Sequence, residues 1–135
     1  LVYLDDGSQG RTGKMGGRVP SLMHDGEIRE SKLLWALGNY SRFIRPGMVR
    51  VKCNVEPVQS VADGLLVSGY KGAKDERVLV LVNLSTEEHL CDLGSSRAVE
   101  VYTTSSEKSL RRSHQNESSM KIPARAVATV LLNNR

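Results

Sequence analysis

The chain has 135 residues, 39% hydrophobic and 25% charged, with 19 Lys and Arg against 15 Asp and Glu for a net charge of +4. That length holds one domain around one core. The balance is that of an ordinary globular protein, and no apolar run approaches the roughly 20 residues that span a bilayer as a helix. The mild positive charge does not make a nucleic-acid surface. Its one local excess, Lys108, Arg111 and Arg112, lacks an aromatic platform and reads as a solvated strand edge.

In chain order, Leu1-Val2-Tyr3-Leu4 reads as the end of a strand. No signal peptide is visible. The chain starts in that strand-like run and not at Met, which points to a processed product or a piece of a longer chain. Residues 5–30 form a long Gly-rich loop with Gly7, Gly10, Gly13, Gly16 and Gly17. A phosphate loop of the form Gly-x4-Gly-Lys-Ser/Thr would need glycine at Ser8 and a hydroxyl at Met15. It would also need a helix amino terminus after it, and Pro20, Asp25 and Gly26 keep the chain irregular there. Nucleotide binding is not expected on those grounds.

Residues 31–44 predict an amphipathic helix. Ser31 stands where its hydroxyl can cap the first turn. Leu33, Leu37, Tyr40 and Ile44 recur at helical spacing, and Trp35, Ala36 and Phe43 widen the apolar surface beyond one face. Pro46 and Gly47 stop the helix. Residues 45–135 then read as short strands. Val49, Val51, Cys53 and Val55 alternate with Arg50, Lys52 and Asn54. Leu65 to Tyr70 follows an Asp63-Gly64 turn. Val78 to Leu84 is nearly continuous in apolar residues, as in a central strand buried on both faces. His89 to Leu93, Val99 to Thr104, a short strand near Leu110, an edge or turn at Lys121 to Ala124 and a last strand over Ala126 to Leu132 complete the pattern. The fold class expected is mainly β: an antiparallel β-sandwich preceded by one amphipathic α-helix and a long Gly-rich loop.

No chemistry is evident. His24, His89 and His114 are far apart and form no metal-ligand spacing with a Cys or carboxylate, so no metal or cofactor is expected. Cys53 and Cys91 lie in strand-like runs, either as buried small hydrophobes or as one disulfide in an oxidising compartment. Asp75-Glu76 and Glu87-Glu88 are adjacent acids in turn-like segments, and neighbours on an extended chain point to opposite faces, unlike the facing carboxylates of a glycosidase. No Gly-x-Ser-x-Gly elbow occurs. Asn39-Tyr40-Ser41, Asn83-Leu84-Ser85 and Asn116-Glu117-Ser118 match the glycosylation pattern, of which only the last falls in an expected loop. No catalytic residue is assigned.

Trp35-Ala36-Leu37-Gly38-Asn39-Tyr40-Ser41-Arg42-Phe43-Ile44-Arg45-Pro46-Gly47 resembles the junction in glycoside hydrolase family 30, where the last helix of a (β/α)8 barrel runs into a β-sandwich side domain. Val99-Glu100-Val101-Tyr102-Thr103-Thr104-Ser105 and Ile122-Pro123-Ala124-Arg125-Ala126-Val127 continue the resemblance, the latter with Ala126 where the family has Ser. Residues 7–25 match no family pattern. The resemblance implies that residues 1–30 are the remnant of the last barrel strand-to-helix loop, 31–44 the eighth barrel helix and 45–135 the side sandwich. It implies a parent that is a retaining hydrolase of β-linked glycans or glucosides, with both catalytic glutamates before Leu1, and a secreted or periplasmic location. Active sites of such barrels border the strand-to-helix loops, which makes Tyr3, Asp5, Asp6 and Arg11 candidates for glycan contact. The helix carries apolar residues on more than one face, which a lone sandwich cannot cover. Leu33, Leu34, Trp35, Leu37, Tyr40 and Phe43 are therefore expected to meet the barrel, or a self-association partner. The alternative is a stand-alone sandwich binding a glycan or a protein, for which aromatic residues outside the helix are few.

Overall fold

The computed structural model describes residues 31–56, 60, 64–114 and 117–133. Among them, one helix precedes eight strands: α1 (Lys32–Ser41), β1 (Val49–Val51), β2 (Leu65–Lys71), β3 (Arg77–Asn83), β4 (His89–Asp92), β5 (Arg97–Thr104), β6 (Arg111–His114), β7 (Ser119–Ile122) and β8 (Ala126–Asn133). Six strands form one sheet in the order β1-β2-β3-β8-β5-β6, and β4 and β7 form a second, with every pairing antiparallel. The Gly-rich loop lies outside the described residues. Among the described residues, the antiparallel sandwich is the fold that the alternation predicts, and the one helix is the element that the helical spacing predicts.

The core lies between the sheets. Leu81, Ala98, Val101, Ala128 and Val130 rise from one face of the large sheet to meet Met120 and Ile122 of β7. The register places Leu79, Val130 and Val101 side by side across β3, β8 and β5, and Leu81, Ala128 and Thr103 in the next row. The alternate residues of these strands turn to the other face. There Val80 and Thr129 are both fully buried and lie in register. This double burial is why β3 reads as a continuous apolar run. A bulge at Val99 breaks the register of β5 between Ala98 and Glu100.

Two expectations change in extent. The helix ends at Ser41 and not at residue 44: Phe43 N and Ile44 N both bond Tyr40 O at 3.1 and 2.9 Å, which tightens the chain into a turn before Pro46. Gly47 then takes a φ of 92°, a conformation that favours glycine. The first strand stops at Val51, short of Val55. Beyond it the Cys53 sulfur sits over Gly69 of β2, only 2.4 Å from where a Cβ on Gly69 would be. Val49 and Val51 of β1 are exposed.

Candidate functional site

Helix α1 packs on the outer face of the large sheet, over β5 and β8. Its sheet-facing side is polar at the centre. Asn39 is fully buried. Its Nδ2 donates to Thr104 Oγ1 at 2.8 Å and to Trp35 O at 3.1 Å. The Thr129 hydroxyl donates toward Asn39 O at 2.6 Å and Asn39 Oδ1 at 2.9 Å. Thr104 Oγ1 in turn donates to Trp35 O at 3.3 Å and accepts from Leu110 N at 3.1 Å. At the other end of the helix, Lys32 Nζ donates to Lys108 O and Ser109 Oγ.

The opposite side of α1 is apolar and open. At about 100° per residue, Leu33, Leu37 and Leu34 span about 100° of the helix surface, centred opposite Asn39. They are 59%, 49% and 38% exposed respectively. Trp35, Tyr40 and Phe43 are half-buried. The Phe43 ring lies 4.5 Å from that of Tyr102, and the Arg42 guanidinium sits over both rings at 5.6 and 5.4 Å. The Tyr102 hydroxyl donates to Glu100 Oε2 at 2.7 Å, and Arg112 pairs with the other Glu100 oxygen. The hydroxyl and then the guanidinium hold the Glu100 carboxyl below its ordinary value. The same bond pushes the Tyr102 hydroxyl up.

A second feature is a groove of about 420 Å³ beside β4, floored by Leu65, Val67 and Leu79 and bordered by Cys53, His89 and Cys91. Both cysteines are free. Burial first, then the neighbouring Asp92, pushes the Cys91 thiol up. A thiol raised in that way is protonated at neutral pH. His89 Nε2 lies 3.0 Å from Ser85 Oγ. Among the described residues, no three of His, Cys, Asp and Glu gather as a metal-ligand set.

The adjacent acids serve surface ion pairs: Asp75 meets Lys71 at 2.8 Å and Glu88 meets Lys121 at 3.0 Å. Two of the three glycosylation patterns are structural asparagines. Asn83 is 1% exposed. Its Nδ2 reaches Glu87 O, Ile122 O and Pro123 O within 3.2 Å, while its Oδ1 accepts from Ser85 N and Oγ. Asn39 and Asn83 carry the tertiary hydrogen bonds that pattern reading missed. The one signal for Asn39 is its spacing of four from Trp35, on the same helix side. Tyr3, Asp5, Asp6, Arg11, His24 and Asn116 lie outside the described residues.

Comparison with protein-family models and with curated proteins finds no match. Solved structures do match. A conserved exported protein from Bacteroides fragilis is 37% identical with a TM-score of 0.69, over 86% of this chain and 25% of that one. A GH30 endoxylanase from Clostridium papyrosolvens C71 is 26% identical with a TM-score of 0.61, over 81% of this chain and 29% of that one. The catalytic domain of GH30 xylanase C from Talaromyces cellulolyticus shares the fold, with a TM-score of 0.67 at 24% identity over 82% of this chain and 26% of that one. The chain thus spans between a quarter and a third of the length of these three proteins. In structure as in sequence, it resembles part of a glycoside hydrolase of family 30.

Proposed function

We propose that this chain is the non-catalytic, carboxyl-terminal β-sandwich portion of a retaining glycoside hydrolase acting on β-linked glycans or glucosides. In this reading residues 1–30 are the last strand-to-helix loop of a barrel, residues 31–44 its eighth helix, and 45–135 the side domain that packs on the barrel and stabilises it. The catalytic carboxylates belong to the missing barrel, as the family resemblance implies. The observation that carries the proposal is the open apolar stripe of Leu33, Leu34 and Leu37 on a helix whose other side is already committed to the sheet. Three leucines on one stripe would each gain from burial, at about 25 cal/mol per Å² removed from water. The likeness to GH30 xylanases supplies the chemistry of the parent, and the exported Bacteroides neighbour supports a secreted or periplasmic location.

The test is the mass of the native product in its source cells, read with an antibody raised against this domain. A barrel adds about 250 residues, roughly 30 kDa. A band that far or further above 14.9 kDa is expected. A native product near 14.9 kDa overturns the reading and leaves the stand-alone binding module.

A further inference from the structure

We propose that Cys53 and Cys91 are a redox pair. Oxidation by a small disulfide joins them across the groove beside β4 and clamps the chain that follows β1 to the small sheet.

The chain has two cysteines, and the fold brings both to one groove from opposite sides. In β4 the exposed Leu90 and Asp92 flank Cys91, so alternation turns Cys91 the other way. It stands in register with Met120 of β7 and packs against the core to which Met120 belongs. Cys91 therefore enters the space between the sheets from the small sheet. Cys53 enters it from the edge of the large one. The ladder between β1 and β2 ends at the pair Val51 and Gly69, and a continued strand would set Cys53 opposite Val67. The sulfur lies over Gly69 instead, 2.4 Å from the place that a Cβ there would take, and that place is 3.3 Å from the Leu79 side chain. Leu79 packs against the core, so the Cys53 sulfur is on the inner face of the large sheet, in room that Gly69 leaves. Both cysteines border the groove of about 420 Å³.

Both thiols are free, and among the described residues no metal-ligand set includes them. The chemistry open to two such thiols is disulfide exchange. A disulfide holds its Cβ atoms about 3.5–4.5 Å apart, so the groove narrows when the bond forms. Residues 52–55 belong to no strand and shift without breaking a ladder. Burial disfavours the Cys91 thiolate, which makes Cys53 the first attacker. Its thiolate displaces one thiol from the small disulfide and becomes a mixed disulfide. The Cys91 thiolate then attacks the Cys53 sulfur and expels the second thiol. Two protein thiols are oxidised and one disulfide is reduced to two thiols, which take up the two protons that the cysteines release. The secreted or periplasmic location proposed above is of the kind in which such bonds form and persist.

Equilibration of the 135-residue chain with reduced and oxidised glutathione tests the pair, with acid quenching, alkylation and peptide masses as the readout. A monomer two hydrogens lighter, with the peptides of Cys53 and Cys91 joined, is expected. Its equilibrium constant in buffer should exceed that in concentrated urea by at least about tenfold, because the fold raises the effective concentration of one thiol at the other. By linkage the oxidised chain should then melt about 5 °C or more above the reduced one. Glutathione adducts alone, disulfide-linked dimers alone, or a constant no higher in buffer than in urea overturn the proposal. So does an unchanged melting temperature, since no clamp would have formed. The order of attack is read from the single variants. Cys91→Ser is expected to take up glutathione faster than Cys53→Ser, and the reverse overturns the assignment of Cys53 as first attacker.

Discussion

Replacing Thr129 by Val isolates the hydrogen bonds that hold α1, because the two side chains share a shape and the site is fully buried. No cavity forms and no volume is added, so the packing terms of a core substitution are small. Two acceptors lose their donor: the Asn39 carbonyl, 2.6 Å from the hydroxyl, and the Asn39 side-chain oxygen at 2.9 Å. The single hydroxyl proton is shared between them, so the loss is more than one bond and less than two. An acceptor left buried without a partner costs about 1–3 kcal/mol, and the pair here about 2–4 kcal/mol. For a domain whose whole stability is about 5–15 kcal/mol, that is a large fraction. With a urea slope of about 1–2 kcal/mol per molar, the midpoint of equilibrium unfolding should fall by roughly 1–4 M. Thr129→Ser keeps the hydroxyl and loses one methyl, and should cost about 1 kcal/mol. A midpoint for Thr129→Val within about 0.3 M of the parent at unchanged slope, or a larger loss in Thr129→Ser than in Thr129→Val, would refute the assignment of the hydroxyl as the donor that fastens the helix.

Gly69→Ala should destabilise by about 1–3 kcal/mol through overpacking, since its Cβ would stand 2.4 Å from the Cys53 sulfur and 3.1 Å from Val51; in a Cys53→Ala background most of that cost should vanish in a urea double-mutant cycle. Asn83→Ala removes the side chain joining the end of β3 to the end of β7 and should cost about 2–4 kcal/mol by the same unfolding assay. The Glu100 carboxyl is held below its ordinary value of 4.5 by Tyr102 and then Arg112. Its contribution is therefore full above pH 4.5 and lost as pH falls through the folded value; Glu100→Gln should flatten the acid side of the melting-temperature profile between about pH 5 and 2. Tyr102 is raised by the same bond above 10.0, so its contribution is lost on the alkaline side as pH rises through the folded value, and Tyr102→Phe should remove that limb. Asn39→Asp buries a carboxyl whose charged form is disfavoured. Its folded pKa lies above the unfolded one, and the variant should be most stable in acid and weaken as pH rises, as followed by circular dichroism.

The elements were legible because their signals are local. Pro46 and Gly47 end the helix, alternation marks the strands, and the apolar run of β3 announces burial on both faces. The pairing order was not legible. β3 lies beside β8, and β8 beside β5, from choices that depend on side chains far apart in the chain. The helix boundary moved by three residues because Phe43 N turned to Tyr40, which is a matter of geometry that spacing does not encode. The outward leucines of the site were legible for a simple reason: the helix has more apolar residues than a single face can bury.

The asparagines show where reading by pattern fails. Asn39 and Asn83 each open a glycosylation-like triplet, and a polar residue in a strand or helix is ordinarily assigned to the wet side. Both are instead among the largest fully buried side chains. Their burial depends on partners remote in sequence: Thr104 and Thr129 lie 65 and 90 residues from Asn39, and Pro123 lies 40 residues from Asn83. A single polar residue inside an otherwise broad apolar helix is ambiguous until the opposing strand is known. Once Thr104 and Thr129 are placed opposite it, the asymmetry of the helix is explained. One side is specific and satisfied, and needs nothing more. The other is apolar, with Leu33, Leu34 and Leu37 exposed. A helix divided in that way belongs to the sandwich by its hydrogen bonds and turns its leucines away from it.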